Sequence, residues 1–453
     1  MATKPHTESH LAGMPTCMLV TVGCAKNEVD TDRMRALLLA AGFQETLAPD
    51  EADVIIVNTC SFLGVATQES VETVLSLAQV GTGEDDRAAI IMCGCVPSRY
   101  GDELAAELPE VDAFVASDEE DGIVTVVSEV LGLEPPATAS SLSALRTVEG
   151  ASAYVKISDG CDRWCTFCAI PAIRGPYASR PREEIADEVR MLMEGGVREV
   201  VLVGQDTGVW GSDLPDGRDL AWLLEELAKI VMPYHGWIRV LYLQPEGMTD
   251  RLIRVLRDVD AVLPYIDIPV QHCAAHVLAD MGRTGSRAEL ESLFARLRAE
   301  IPGLVLRTTG LVGFPGETED DFEELCEFIE DVGFDYVSVF AYSAEEGTVA
   351  ATLPNQLDDA ELMDRTQRLQ DIAERLGFSS TARRIGDEFD VIIDGVEETD
   401  DGLELIGHTW FQAPDCDGAV HIEAGEATVG DIVTCKMVDA FCYELVGVVT
   451  TRH

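Results

Sequence analysis

Short apolar strands alternate with amphipathic helices through the first third of the chain. Three β-branched runs, TCMLVTV, DVIIVN and AAIIMC, are separated by VDTDRMRALLLAAGF and GVATQESVETVLSLAQV, where apolar residues recur at helical spacing. Strands that alternate with helices indicate βαβ units, so this α/β region predicts a doubly wound parallel sheet over residues 14–135. The Pro-, Ala- and Ser-rich residues 131–150 predict a linker.

The central region repeats a strand followed by a helix about six times. The strand candidates are AYVKI, EVVLV, WIRVLYL, PYIDIPV, GLVLRTTGLV and DYVSVFA, and stretches such as REEIADEVRMLMEGG and DDFEELCEFIEDVG separate them as helices. Successive right-handed βα units roll a sheet into a full or partial TIM-like barrel, and such barrels carry their chemistry at the carboxyl ends of the strands. We place this second domain at residues 147–380.

The last section changes character. EFDVIID, LELIGH, GAVHIE, DIVTCKMV and ELVGVVT are short strands divided by Gly and Asp turns. Five such strands predict a small OB-like β-barrel, which we place at residues 383–453. The chain therefore has three predicted domains.

Composition and charge narrow the classes of function. The 453 residues contain no run of eighteen apolar residues, and the N-terminus lacks an apolar signal segment, so we expect no membrane span and a cytoplasmic location. With 32 basic and 82 acidic residues the formal charge is −50, which disfavours strong non-specific binding to nucleic acid. Such a surface suits a basic protein partner, although general acidity of the source proteome explains it equally well.

A cysteine triplet follows the first strand of the predicted barrel. Cys161, Cys165 and Cys168 have the spacing C-x3-C-x2-C in the segment KISDGCDRWCTFCAIP. Three thiolates on one loop can ligate three irons of a 4Fe–4S cube and leave the fourth iron open to a substrate. The alternatives are a structural zinc site or inert thiols, but a closed zinc site needs four ligands and no fourth Cys or His lies nearby in the segment.

Three further cysteines follow three strands of the first domain. Cys24, Cys60 and Cys95 each stand just past the end of an apolar run. The carboxyl ends of parallel strands line one crevice, where ligands bind, so these thiols predict a second cluster with one open iron. Cys93 is expected within its strand, and the remaining cysteines outside the barrel site fall inside predicted elements as core or surface thiols: Cys17, Cys326, Cys416, Cys435 and Cys442.

The triplet segment closely resembles the signature of the radical S-adenosylmethionine (SAM) superfamily. The resemblance implies that the amino and carboxylate groups of SAM bind the open iron. One electron from the cluster then cleaves SAM to a 5′-deoxyadenosyl radical. Phe167 matches the aromatic position beside the adenine in that superfamily, and simple packing is its alternative role.

The segments VGCAKNEVDTDRM, VNTCSFL and CGCVPSRYGDEL, in this order before the triplet, resemble the methylthiotransferases from end to end. Members of that family add a methylthio group to tRNA or to a ribosomal protein. The resemblance implies an N-terminal cluster domain, a radical SAM core and a C-terminal TRAM module. It also implies that Cys24, Cys60 and Cys95 hold an auxiliary 4Fe–4S cluster whose open iron presents the transferred sulfur, with a second SAM as methyl donor.

Other polar residues stand at predicted strand ends near the barrel site. Gly313 and Glu317 lie in TTGLVGFPGETEDDF, which the family uses at the cofactor, although a helix-entry turn explains the segment equally well. Gln205 with Asp206, and Gln271 with His272, are further candidates for binding cofactor or substrate, and such a His is more often structural. We expect Arg174 to neutralise thiolate or carboxylate charge, and Cys273 has no assigned role.

The charge of the last domain and three short sequence motifs indicate the substrate. Residues 385–453 hold sixteen Asp and Glu against two basic residues, a net charge of −14. A module that grips RNA should be basic, whereas an acidic one suits a ribosomal protein rich in lysine and arginine. KISDGCDRWCTFCAIP, LVGQDTG and GHTWFQAPDCDG resemble the ribosomal-protein branch. An exposed pair of Trp410 and Phe411 in the last motif could contact the partner, although we expect one of the two rings to pack in the core.

The resemblance thus implies radical transfer of a methylthio group to the β-carbon of an aspartate in small-subunit ribosomal protein S-twelve. The reaction also needs a reducing electron donor. The alternative substrate is an adenosine beside the anticodon of tRNA. A non-catalytic iron–sulfur protein for electron transfer is the alternative from another class.

Overall fold

The computed structural model describes residues 15–80, 87–135, 145–148, 150–399 and 402–452. These residues form two compact units. The first comprises the described part of 15–147 together with 159–162 and 168–177, and the second comprises 148, 150–158, 163–167 and the described part of 178–452. Within the predicted linker, residues 131–135 and 145–148 have no helix or strand, whereas 136–144 and 149 lie outside the described residues.

The first unit contains a five-stranded parallel sheet with the strand order β2-β1-β3-β4-β5. Its strands are β1 (Thr16–Thr21), β2 (Gln44–Glu45), β3 (Val54–Thr59), β4 (Ala89–Gly94) and β5 (Ala113–Ala116). Its helices are α1 (Ala25–Ala40), α2 (Gly64–Ala78), α3 (Cys95–Tyr100), α4 (Asp102–Glu107) and α5 (Ile123–Val130).

Helices cover both faces of this sheet. Leu38 of α1 and Val127 of α5 pack on one face, while Val74 of α2 and Val96 of α3 pack on the other. Strands β3 and β4 are buried along their whole length, which explains their near-continuous runs of Ile and Val. The predicted doubly wound sheet is confirmed. Its strand order reverses between β1 and β3, and that reversal is where such folds bind ligands.

The chain then enters a second series of strands and helices. The strands are β6 (Ser152–Lys156), β7 (Ser158–Asp159), β8 (Ala178–Ser179), β9 (Glu199–Val203), β10 (Trp237–Val240), β11 (Tyr265–Asp267), β12 (Val305–Val312) and β13 (Tyr336–Ala341). The helices are α6 (Ile170–Arg174), α7 (Arg182–Gly195), α8 (Leu220–Val231), α9 (Asp250–Asp258), α10 (Ala275–Asp280), α11 (Arg287–Glu300), α12 (Glu319–Val332) and α13 (Asp359–Ala382).

Six of these strands form a partial parallel barrel. They pair as β6-β9-β10 and β11-β12-β13, and the amide of Leu243 donates to Asp267 O at 2.9 Å between the two sets. In the described residues β6 and β13 each pair with only one barrel strand, so the barrel is not closed. Of the full and partial barrels that the sequence predicts, the partial one is confirmed. The strand around Ile266 is shorter than PYIDIPV predicts, because Pro264 and Pro269 cannot donate a ladder hydrogen bond.

A closed five-stranded barrel ends the chain, as predicted. It consists of β14 (Glu388–Thr399), β15 (Gly402–Thr409), β16 (Val420–Ala424), β17 (Ile432–Ala440) and β18 (Leu445–Arg452), in the order β14-β15-β16-β18-β17. Phe411 is fully buried against Phe389, with ring centroids 4.9 Å apart, so its ring is not available to a partner. Trp410 is half-buried beside it.

No helix in the described part of the chain is long and apolar enough to cross a membrane.

A buried ionic network joins this small barrel to the parallel strands within the second unit. Glu199, at the start of β9, accepts from Arg239 Nε at 2.6 Å, and both side chains are fully buried. His408 lies between two carboxylates, with Nε2 2.8 Å from Glu199 and Nδ1 2.6 Å from Asp394. A buried charge is tolerated only when it is paired in this way.

This network predicts a loss of stability in mild alkali. Burial alone would lower the pKa of His408, but Glu199 and Asp394 outweigh it and raise the pKa from 6.5 to about 9. A pKa raised in the folded state adds stability that is complete below pH 6.5 and is lost as the pH rises through 9. We expect the free energy of unfolding to fall by about 3 kcal/mol across that window.

Melting temperature measured from pH 6 to pH 9.5 checks this expectation. His408→Gln should be less stable at pH 6 and should lose most of the slope. His421→Gln, a matched change on the surface of the same barrel, should keep it. Equal slopes in wild type and His408→Gln would contradict the assignment.

Candidate functional site

The sheet of the first unit brings Cys24, Cys60 and Cys95 together at its carboxyl edge. Cys24 precedes α1 as its N-cap, Cys60 directly follows β3, and Cys95 begins α3 directly after β4. The three thiols are close enough to act on one another electrostatically. Cys60 and Cys95 are buried and Cys24 is exposed, so the group opens to solvent on one side. The site flanks the reversal of strand order between β1 and β3.

Two glycines allow the strand ends to approach this closely. Gly23 and Gly94 each precede a cysteine and have φ values of +132° and +90°. A Cβ added at Gly23 would lie 2.8 Å from the Cβ of Cys60, and one added at Gly94 would lie 2.2 Å from Asn58 Oδ1. Only glycine combines this backbone conformation with such contacts.

Buried polar side chains that the sequence analysis missed fasten these strand ends. Asn27 Nδ2 donates to Asn58 Oδ1 at 3.1 Å and to Thr59 O at 2.9 Å, and Asn58 Nδ2 donates back to Asn27 O at 3.1 Å. The hydroxyl of Thr59 donates to Cys93 O at 2.5 Å. The signal for this network was an Asn three residues after Cys24 and another two residues before Cys60.

The donor set fits an iron–sulfur cluster. Burial raises the pKa of the Cys95 thiol to about 11, so this thiol needs a bound metal to become a thiolate at neutral pH. A cluster takes each thiolate on its own iron, so three thiols from three separate strand ends suit it.

The loop with the cysteine triplet is shared between the two units. Cys161 and Cys168 belong to the first unit and are half-buried there. The amide of Cys161 donates to Gly175 O at 3.2 Å, and the amide of Tyr177 donates to Asp162 Oδ1 at 3.0 Å. These bonds fix the start of the loop against the turn that follows α6.

Cys165 and Phe167 lie in the second unit. The neighbouring Thr166 donates its amide to Met281 O at 3.0 Å and accepts from the amide of Ala350 at 2.9 Å. The ring of Phe167 meets Phe314 edge to face, with centroids 6.5 Å apart. Phe167 is thus half-buried beside an apolar cluster, a position compatible with both of its predicted roles.

An ion-paired group that the sequence analysis did not foresee lies beside Cys165. Arg163 Nε is 2.5 Å from Asp206 Oδ2, and its Nη1 is 3.2 Å from Glu246 Oε2. Burial raises the pKa of Asp206, and its Oδ1 is a buried atom without a hydrogen-bond partner among the described residues. The half-buried Gln205 precedes it at the carboxyl end of β9.

Glu317 lies inside the second unit and holds the loop that follows β12. Its Oε2 accepts from the amide of Gly313 at 2.9 Å, and its Oε1 accepts from Arg365 Nη1 at 2.8 Å. Nε2 of the buried His272 lies 3.5 Å from Glu317. Nδ1 of His272 accepts from the amide of Ala274, as a structural His does. The sequence did not reveal Arg365, because it lies 48 residues from Glu317.

The remaining predicted positions are Gln271 and the cysteines outside the two groups of three. Gln271 lies beyond the end of β11 with a left-handed backbone, φ +69°, and forms an isolated parallel bridge with Gly310. Cys273 packs in the barrel core, which accounts for its presence without a chemical role. Cys93 lies within β4 as expected. Cys416 and Cys442 lie in turns of the last barrel and not inside strands, so that expectation is wrong.

Three family patterns match successive parts of the chain. The radical SAM superfamily matches residues 155–329, the uncharacterized protein family UPF0004 matches 16–116, and the TRAM domain matches 385–450. Among solved structures, the radical SAM methyltransferase TsrM from Kitasatospora setae has a TM-score of 0.54 at 14% identity, covering 72% of each chain. That likeness concerns the fold alone. Fold and family pattern together define a radical SAM protein.

Curated relatives specify the family within that class. The chain is 42% identical to "Ribosomal protein uS12 methylthiotransferase RimO" of Trichlorobacter lovleyi, over 97% of this chain and 99% of the relative. It is 42% identical to the protein of the same name from Geobacter sulfurreducens, over 95% and 97% of the two chains. The chain belongs to the RimO family of methylthiotransferases.

Proposed function

We propose that this protein transfers a methylthio group to the β-carbon of an aspartate in ribosomal protein uS12, the S-twelve protein of the small subunit. The observation that carries the proposal is the 42% identity to a RimO protein over nearly the full length of both chains. The convergence of Cys24, Cys60 and Cys95 at the switch point supports it, because a methylthiotransferase needs a sulfur-bearing site apart from the one that activates SAM.

Two ligand sets are assigned by this proposal. Cys161, Cys165 and Cys168 hold the cluster that binds SAM, and Cys24, Cys60 and Cys95 hold the auxiliary cluster. When bound, the first group supplies the electron that cleaves SAM to a 5′-deoxyadenosyl radical, and the second supplies the sulfur.

The remaining residues of the site position these groups. Phe167, backed by Phe314, offers an aromatic face to the adenine. Gln205 follows β9 and Gln271 follows β11, and both bind SAM or the substrate. Glu317 accepts from the amide of Gly313 and so fixes the backbone of the loop that follows β12. Glu317 therefore acts through the loop, and Arg365 locks it in place.

The charge of the last domain favours a basic protein substrate. Residues 385–453 carry a net charge of −14, which attracts lysine- and arginine-rich ribosomal protein and repels a phosphate backbone. This argues for uS12 over tRNA. A cytoplasmic location and a reducing electron donor follow from the same proposal, since ribosomal protein and electrons must both reach the enzyme.

Mass spectrometry of a deletion strain tests the substrate. We expect one aspartate of uS12 to lose its methylthio increment and to regain it when the gene is restored. If uS12 is unchanged and a tRNA adenosine loses the group, the substrate proposal fails. Purified protein with SAM and dithionite separates the enzyme from an electron-transfer protein, since only the enzyme yields 5′-deoxyadenosine.

A further inference from the structure

Arg174 is a buried cation at the cysteine site of the first unit. It ends α6, and its side chain is only 2% exposed. Nη1 lies 3.0 Å from Asp30 Oδ2 and 3.3 Å from Asp159 Oδ2. Burial would lower the pKa of Arg174, but these carboxylates outweigh it and raise the pKa, so the guanidinium keeps its charge. The guanidinium is therefore a charged group inside the unit, paired with two carboxylates.

The guanidinium of Arg174 also lies near the thiols of Cys95 and Cys60. Nη2 is buried and has no hydrogen-bond partner of ordinary length among the described residues. Burial raises the pKa of both Cys95 and Cys60, and Arg174 opposes that effect. It lowers the pKa of Cys95 through its charge and a hydrogen bond, and that of Cys60 through its charge. Ile173, the residue before Arg174, packs against Cys95. A guanidinium donor in this position can donate to the sulfur atoms of a cluster bound by these cysteines.

Arg174 also contacts the segment that leads to Cys161 within the first unit. Asp159, its second carboxylate, precedes Cys161 by two residues in the same unit. Gly175, the residue after Arg174, accepts from the amide of Cys161. One side chain thus contacts the segment that presents Cys161 while it lies beside Cys95.

We propose that Arg174 is the counter-charge of the auxiliary cluster and raises its reduction potential. This rests on the proposed function, which assigns that cluster to Cys24, Cys60 and Cys95. A fixed positive charge in a low-dielectric site stabilises the more negative, reduced form of a cluster. Hydrogen bonds to its sulfur atoms act in the same direction.

The electron balance of the sulfur transfer indicates what the charge of Arg174 would do. In the proposed reaction, the carbon radical of the substrate would take the methylthio sulfur from an iron–sulfur bond, and the new carbon–sulfur bond would use the unpaired electron of the carbon and one electron of that bond. The second electron of the broken bond would remain with the cluster. Arg174 stabilises this added negative charge without moving a proton, because it remains charged throughout.

A redox titration followed by electron paramagnetic resonance tests the proposal. The full chain carries Cys161→Ala, Cys165→Ala and Cys168→Ala, so that the signal comes from the auxiliary cluster. Adding Arg174→Gln should shift the midpoint to more negative potential, whereas Arg174→Lys should retain most of the wild-type value. Arg87→Gln is the matched control, since Arg87 pairs with Asp112 at the opposite end of β4 and should leave the midpoint unchanged.

A second measurement detects the contact between Arg174 and the cluster directly. In the same background, protein labelled with ¹⁵N-arginine should show a nitrogen hyperfine coupling to the reduced cluster, and Arg174→Lys should abolish it. An unmoved midpoint in loaded Arg174→Gln, or no coupling in the labelled protein, overturns the proposal for Arg174. A background protein that binds no iron contradicts the auxiliary-site assignment itself, so the two failures are distinguishable.

Discussion

Replacing Cys161 by alanine should abolish both 5′-deoxyadenosine formation and methylthiolation. The triplet supplies three ligands to a cube that already lacks a fourth, so two thiolates cannot hold it with an iron open to SAM. Without that iron no radical forms, and every later step stops. Anaerobically reconstituted protein, incubated with SAM and dithionite, is assayed for deoxyadenosine by chromatography and for modified uS12 by mass spectrometry. Iron content should fall by about half, since one of two clusters is lost.

The matched control is Cys326→Ala. Cys326 lies in α12 and packs in the core of the second unit, away from the triplet in sequence. This variant should lose some stability through the small cavity it creates, yet keep its iron and both products. Deoxyadenosine formation by Cys161→Ala at the wild-type rate would remove the triplet from the SAM site.

Cys95→Ala should separate the two halves of the reaction. We expect methylthiolation to fall to background, because the auxiliary cluster loses one of three ligands and no sulfur is presented. Cleavage of SAM should continue, since Cys161, Cys165 and Cys168 remain. The measurement is the ratio of deoxyadenosine to methylthiolated uS12, which should rise steeply as product disappears. Cys24→Ala and Cys60→Ala should behave in the same way.

Cys93→Ala provides the comparison two residues away. Cys93 lies inside β4 with its side chain in the core, and burial raises the pKa of its thiol well above the ordinary value. It should lose stability without losing product. If Cys95→Ala instead methylthiolates uS12 normally, the auxiliary-cluster assignment is wrong, whatever happens to SAM cleavage.

The sequence predicted the architecture well because each domain has a strong periodic pattern. Apolar runs such as DVIIVN alternate with amphipathic helices, and the ends of parallel strands meet at one edge. The convergence of Cys24, Cys60 and Cys95 followed from that rule alone. Strand limits followed less well, because Pro264 and Pro269 shorten β11 within an apolar run that looks longer.

Polar pairs between residues that are far apart in the sequence could not be predicted from hydrophobic periodicity. Arg174 and Asp30 are 144 residues apart, and Arg365 and Glu317 are 48 apart, so no local periodicity links them. The family resemblance places Glu317 at the cofactor, but nothing in the sequence indicates that its carboxylate accepts from Gly313 and Arg365. Such pairs are fixed only when the tertiary structure brings separate elements into register.

The first unit includes two segments that follow the N-terminal domain in the sequence, and this affects when the unit can fold during protein synthesis. Because residues 159–162 and 168–177 pack with the N-terminal sheet, the first unit is unfinished until translation has passed residue 177. Until then α3, which presents Cys95, lacks the apolar cover of Ile173, and Asp30 lacks its buried cation. Domains usually fold in turn from the N-terminus of a nascent chain. If Cys24, Cys60 and Cys95 hold a cluster as proposed, we expect it to be inserted only after the segment that carries Cys161 and Cys168 has been made.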